Sequence, residues 1–337
     1  MAASSLSLEQ TLEEILARRP VLEPVLQAFA PALAAQVELS QTLQSGPSAV
    51  QLSLPPMQAE RVGQGASILA GQNLDGLENA LLKSAQTLLP VLSQRTFLAP
   101  HMPALEAWFL RPLIAGGAQA NGAGASGADA PHTRRSEKDP RVRLAEARVS
   151  GYQEALLRLA GEGDIDPQVL DFVFGFVVAP VFRAVAAKLL DAEGRGSWDE
   201  GELWRQGYCP VCGAMPSIGW LDKPALDEKN AYLAGGGGKK HLHCGVCGTN
   251  WLCKRGTCPA CSEEGNGVME ILRESGASHG ERLDWCTKCK SYCPTIDLRE
   301  REHMPNLEGA AIGMMHLDMV AAKKKLHPVR PSFWNLF

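Results

Sequence analysis

Outside residues 209–293 this chain of 337 residues contains no cysteine, and inside that window it contains ten. Thiol or thiolate chemistry is therefore excluded from the side chains of the first 208 residues. The first residues, MAASSLSLEQTLEE, have neither a basic n-region nor an apolar h-region. No secretory or transit peptide is expected, and the cytoplasm is the expected location. The longest apolar run, 172–182, is closed by Asp171 and Arg183 and contains Pro180. It falls short of the ~20 residues that span a bilayer, so no membrane partner is expected. A formal charge of −4 and a pI near 6.1 give no bulk attraction to nucleic acid. The G-x-S-x-G, H-E-x-x-H and G-x-G-x-x-G motifs are missing. The glycine run 235–238 before Lys239 and Lys240 lacks P-loop spacing and reads as a hairpin tip. No enzyme is expected, and no catalytic residues are assigned.

What is present is concentrated in the cysteine window. Eight of the ten cysteines form C-x-x-C pairs: Cys209/Cys212, Cys244/Cys247, Cys258/Cys261 and Cys286/Cys289. Such a loop turns tightly enough for two thiolates to meet one tetrahedral metal, so four loops suffice for two four-cysteine sites. In a reducing compartment this reading is preferred to structural disulfides. Strand-like pieces lie between the first two knuckles (218–221, 241–243) and between the last two (268–273, 282–285). Each half thus follows the rubredoxin or zinc-ribbon plan of knuckle, hairpin, knuckle. This favours sequential pairing, with a cross-braced arrangement as the alternative. The first two knuckles end in Gly213 and Gly248, which easily take positive φ, whereas the last two lack that glycine and make the less standard site. Four thiolates suit zinc or a single iron, and only iron is redox-active. Cys253 and Cys293 are surplus, read as small buried residues or, alternatively, as a thiol pair or substitute ligands. His241, His243 and His279 are read as strand or loop residues, because eight cysteines already fill eight positions.

The remainder of the chain reads as helical. Ser7 and Gln10 are spaced as a capping box for a helix over 7–19, stopped by Pro20. Helices follow over 21–43, 77–89, 104–113, 141–159 and 166–190, the last starting at Asp166-Pro167 and apolar all round, hence central. Residues 116–138 are small and polar and are expected to form a mobile loop. Residues 193–202 read as a hinge. A terminal helix is expected over 306–325, followed by a proline-aromatic tail folding back onto the bundle. The predicted class is multidomain α+β: an N-terminal all-α helical domain (1–200), two small rubredoxin-like or zinc-ribbon β domains (201–252 and 253–302), and a C-terminal helix and tail (303–337).

Charge also bears on nucleic acid locally. Residues 201–300 hold 12 Lys+Arg and 12 Asp+Glu, and two thiolate sites would make the region negative. The close basic pairs there are Lys239/Lys240 and Lys254/Arg255. A nucleic-acid-binding ribbon would want a basic face, so this reading is disfavoured.

The helical first half, then C-P-V-C-G at 209–213, H-C-G-V-C-G-T-N-W at 243–251, C-P-A-C at 258–261 and C-T-K-C at 286–289, together resemble the formate dehydrogenase accessory protein family (FdhE-like). The resemblance implies a cytoplasmic assembly factor that contacts the formate dehydrogenase catalytic subunit. It also implies two metal ions, with iron favoured over zinc, on Cys209, Cys212, Cys244, Cys247, Cys258, Cys261, Cys286 and Cys289. The loop at 116–138, the tip at 235–238 and the additional Cys253 and Cys293 do not match the family pattern. A rubredoxin-like electron carrier is the alternative function.

Overall fold

The computed structural model describes residues 5–45, 49–52, 57–112, 138–148, 151–193, 203–223, 238–276, 279–332 and 334–335. The expected mobile loop (except Lys138), most of the expected hinge and all but Gly238 of the glycine tip lie outside the described residues.

The first helix, α1 (Leu8–Arg18), begins where the sequence says it should. Gln10 N donates to Ser7 Oγ at 3.1 Å and Ser7 N donates to Gln10 Oε1 at 2.9 Å, closing the capping box. The helical half continues through α2 (Glu23–Gln44), α3 (Ala59–Gly63), α4 (Glu78–Leu92), α5 (Met102–Phe109), α6 (Pro140–Ala147), α7 (Tyr152–Gly163) and α8 (Pro167–Glu193). The helix expected over 141–159 is two, because Gly151 takes φ 75° at the start of α7 and no right-handed helix passes through that conformation.

Helix α8 is central, packed against α2, α4 and α7. By length and composition its 167–189 stretch would suffice to cross a bilayer, which corrects the estimate made from the 172–182 run alone. Its side chains are spent on protein contacts instead: 72% of the apolar window is buried inside the structure. Pro180 sits inside this helix and has no N–H for the carbonyl of Phe176. The buried side chain of Gln36 on α2 donates to that oxygen at 2.9 Å, and Ser84 on α4 donates to Val177 O at 2.6 Å. Gln36 thus satisfies the carbonyl that the helix proline leaves without an N–H, and Ser84 adds a second donor one residue on.

The cysteine window folds as β1 (Ile218–Leu221), β2 (Lys240–His243), β3 (Asn250–Cys253), β4 (Met269–Leu272), β5 (Glu281–Cys286) and β6 (Ser291–Asp297). The sheet order is β3-β2-β1-β6-β5-β4. Strands β1, β2 and β3 are antiparallel, as are β4, β5 and β6. A parallel β1–β6 pairing, Gly219 opposite Thr295 through Leu221 opposite Asp297, joins the two ribbons into one sheet. β3 and β6 have no counterpart among the strand-like pieces read from the sequence.

The expected terminal helix is broken at Met314 into α9 (Leu307–Gly313) and α10 (Met315–Lys323). They cover one sheet face, with Leu307, Met314 and Leu317 packed on Ile218, Leu283 and Tyr292. α1 packs on α9. A Cβ on Gly313 would stand 2.5 Å from Ile15 Cδ1, so glycine is what permits that approach. From α1, Arg18 and Arg19 reach the buried Glu281 of β5 at 2.8 and 2.7 Å. The short β7 (His327–Pro328) pairs with the start of β6, and Trp334 beyond it packs edge-on against Phe29 of α2 at 5.7 Å. The tail folds back onto the bundle, as expected.

Candidate metal centres

The eight paired cysteines gather in sequential pairs. Cys209, Cys212, Cys244 and Cys247 form one cluster and Cys258, Cys261, Cys286 and Cys289 the other, all sulfurs within 4.8 Å of one another in each. The cross-braced alternative is not what the fold adopts. In the first cluster Cys209 Sγ lies 3.4 Å from Cys247 Sγ, and Cys212 Sγ lies 3.5 Å from Cys244 Sγ. In the second, Cys258–Cys289 and Cys261–Cys286 are separated by 3.6 and 3.8 Å. Metal–sulfur bonds of ~2.3 Å in a regular tetrahedron place sulfurs ~3.8 Å apart. Both donor sets therefore fit one tetrahedral ion each, and two clusters can hold two ions.

All four knuckles share one backbone form. Gly213, Gly248, Ser262 and Lys290, each directly after the second cysteine, have φ of 72°, 74°, 61° and 62°. Their N–H groups donate to the carbonyls of Cys209, Cys244, Cys258 and Cys286 at 2.8–3.0 Å. The first site uses glycine for this conformation at no steric cost, while Ser262 and Lys290 carry a penalty of about 1–2 kcal/mol each. The missing glycines thus change the cost of the second site, not its shape.

The surroundings differ more. The first site's cysteines are 0–3% exposed and belong to the large core shared with the helices. A loop between α3 and α4 grips its first knuckle: Ile68 N and Leu69 N donate to Pro210 O and Val211 O at 2.8 and 3.0 Å, and Ser67 Oγ to Cys209 O at 2.9 Å. Thr249 Oγ1 lies 3.1 Å from Cys247 Sγ. Burial and hydrogen bonds with its three neighbouring thiols push the Cys209 thiol well up. Burial also opposes ionisation of Cys244, but hydrogen bonds from the other three thiols, with the positive charge of the nearby Arg330, outweigh it and hold that thiol well down. Metal uptake must displace the protons held on such sulfurs. The second site belongs to a small cluster of its own with Val268. There Cys261 is exposed and Cys289 half-buried. Burial raises the Cys289 thiol, yet hydrogen bonds from Ser291 bring it down to about 7.

This asymmetry sets an order of release. A chain loaded with two ions is expected to lose the second-site ion to a soluble chelator well before the first, read as two phases of metal loss by elemental analysis. A single phase releasing both ions together would contradict it.

The other sequence candidates are placed elsewhere. His241 stacks on Trp220 at 4.1 Å, and His243 Nδ1 lies 2.9 Å from Asn250 Oδ1, so both serve the sheet and neither joins a sulfur cluster. Cys253 on β3 is the register partner of Lys240, and Cys293 on β6 is that of Asp284. Between these strands Lys240 Nζ meets Asp284 Oδ2 at 2.7 Å, both residues at most 5% exposed. Burial raises the Cys293 thiol to about 12 despite the Lys240 ammonium, so it stays protonated at neutral pH. The two surplus thiols lie within the sheet, and no sulfur contact joins them. Of the basic pairs, Lys240 is consumed by Asp284 and Lys254 pairs with Glu264 at 2.9 Å. Sequence reasoning missed Ser67, Thr249, Arg330 and Arg183, whose guanidinium donates to Gly245 O at 3.4 Å, all distant from the knuckles in sequence or without a ligand's chemistry; only Thr249, directly after Gly248, carried a positional signal.

No protein-family model matches the chain. It is 32% identical over 135 residues to an FdhE homologue of Aquifex aeolicus, covering 40% of this chain and 44% of that protein. It is 26% identical over 113 residues to an FdhE homologue of Shewanella baltica (34% and 33% covered) and 25% identical over 159 residues to FdhE of Escherichia coli (47% and 45%). The matched segments thus span less than half the length of these curated relatives. The crystal structure of the FdhE protein from Pseudomonas aeruginosa superposes with a TM-score of 0.56 at 17% identity, covering 98% of this chain and 97% of that one. That likeness establishes the fold.

Proposed function

We propose, for a chain that is FdhE-like in sequence and in fold, a role in the maturation of formate dehydrogenase: it binds the catalytic subunit of that enzyme and carries a metal ion in each four-cysteine site. The observation that carries this reading is the pair of four-sulfur clusters on a sheet joined to a helical half, in a chain similar to FdhE proteins. Four protein sulfurs complete a tetrahedral shell and leave no open position for a substrate, which supports an accessory role over catalysis. Iron is the favoured metal and zinc the alternative; iron would add one-electron chemistry, zinc shape alone. Sites that depend on free thiols suit the cytoplasm, where this reading places the protein. The division into a helical domain (1–200), two metal-binding ribbon domains (201–252 and 253–302) that share one sheet through β1 and β6, and a C-terminal helix and tail (303–337) is part of the same proposal.

Affinity-tagged chain expressed with formate dehydrogenase is expected to retain the catalytic subunit, and deletion of the chain should leave that enzyme inactive. Full formate dehydrogenase activity after deletion would refute the role. Protein prepared without oxygen should carry about two metal ions per chain if both clusters are filled, and a colour that bleaches on reduction would identify iron.

A further inference from the structure

The C-terminal tail places a cation at the first cysteine site. After β7, Val329 N donates to Tyr292 O at 2.8 Å, and Arg330 follows directly. The backbone there is held from the far side, because Asn335 Nδ2 donates to Arg330 O at 3.1 Å and Asn335 Oδ1 accepts from Ser332 N at 2.6 Å. The guanidinium reaches the knuckle itself: a Cβ on Gly245, the residue after Cys244, would stand 2.9 Å from Arg330 Nη1. Among the described residues no carboxylate lies within ion-pair distance of Arg330. The other arginine at this knuckle, Arg183, is already held by Glu308 at 3.0 Å. Burial and the nearby Arg148 oppose the Arg330 charge, while Cys244, Cys212 and then Asp171 favour it, Asp171 being itself engaged by Tyr152 and Arg148.

Four thiolates around a divalent ion sum to a net charge of −2, and around a ferric ion to −1. An arginine docked against such a centre without a carboxylate of its own has the centre as its natural counter-charge. We infer that Arg330 is the counter-cation of the first metal centre, and that docking of the C-terminal tail is therefore linked to metal in that site. The inference rests on the proposed metal occupancy of Cys209, Cys212, Cys244 and Cys247. A bound metal holds all four sulfurs in one place, and when it leaves the charged centre that Arg330 faces is no longer held together. Linkage is reciprocal: whatever the metal adds to tail docking, the docked tail adds to metal affinity. Because the tail also pairs with β6 and packs Trp334 on α2, metal in the first site is reported to both the second ribbon and the helical half.

The test uses the full chain, loaded with zinc and titrated with a chromogenic chelator, the second site serving as internal control. Arg330→Met is expected to weaken the first site about 10- to 100-fold, the range typical for a lost outer partner of a metal ligand, with the second site unchanged. Arg330→Lys, which keeps the charge, should retain the larger part of the affinity. In the wild-type chain, hydrogen exchange of the tail should stay slow after the second-site ion is removed and become fast once the first-site ion leaves. Unchanged first-site affinity in folded Arg330→Met, or a tail equally protected with and without that ion, overturns the inference. If Arg330→Met does not fold, the lysine variant and the wild-type exchange measurement decide. A wild-type chain that binds metal only at the second site overturns the reading of the first site itself, an outcome distinct from a loaded site indifferent to Arg330.

Discussion

Cys212→Ser is expected to empty the first metal site and to lower the stability of the whole chain by several kcal/mol, a fraction of the ~10–16 kcal/mol apparent binding energy of structural zinc sites. The reason is where the site sits. Cys209, Cys212, Cys244 and Cys247 are part of the same core as α2, α4 and α8. The loop at Ser67, Ile68 and Leu69 also donates its hydrogen bonds to the knuckle backbone carbonyls. A collapsed knuckle leaves those donors unpaired inside the protein, where each costs about 1–3 kcal/mol. Cys261→Ser is the matched control. It should empty the second site while thermal unfolding of the helical half stays close to that of the parent, because Cys258, Cys286 and Val268 form an isolated cluster. Metal content with circular dichroism melts on both variants checks this. Equal losses of stability in the two, or an unaltered melt of Cys212→Ser, would show that the first site is not part of the shared core in solution.

Asp284→Ala should be nearly as damaging, at about 3–5 kcal/mol, because it strands the buried Lys240 ammonium between the two ribbons. Arg282 Nε also loses a partner at 3.0 Å, though Asp297 still holds its Nη1 at 3.1 Å. Replacing both members of the pair, Lys240→Met with Asp284→Leu, should recover most of the loss, since a well-packed apolar pair avoids the cost of burying charge. Urea unfolding of the single and double variants measures the coupling; a double variant as weak as the single one would sink the argument. Burial opposes the Asp284 charge, but Lys240 and Arg282 hold its carboxyl below the ordinary value of 3.8. The folded pKa lies under the unfolded one, so this stabilisation is present above pH 3.8 and is lost as the pH falls through the lower folded value.

The eight candidate ligands and their sequential grouping were legible because a C-x-x-C turn is local: four residues determine the loop, and two loops flanking a hairpin determine the pair. The helices were legible for the same reason, down to the Ser7–Gln10 box. Breaks at Gly151 and Met314 were not, since the apolar period runs through both and only packing chooses where the chain turns. β3 and β6 were missed because their few residues lie next to knuckles, where a short apolar run carries little period. Lys240 looked like half of a surface basic pair, and nothing in its neighbourhood announces an aspartate 44 residues on.

By itself, then, the sequence determined which eight cysteines are candidate ligands and favoured their sequential pairing, with no other local motif competing; the fold closed the cross-braced alternative. Only the tertiary structure decided the context of that chemistry. It fused the two ribbons through β1 and β6, buried the first site against the helices while leaving Cys261 of the second exposed, and brought Arg330 to Cys244. The physical reason is one of range. Turn geometry and thiolate pairing are set by neighbours along the chain, whereas burial and counter-charge are set by residues that meet only once the chain has folded.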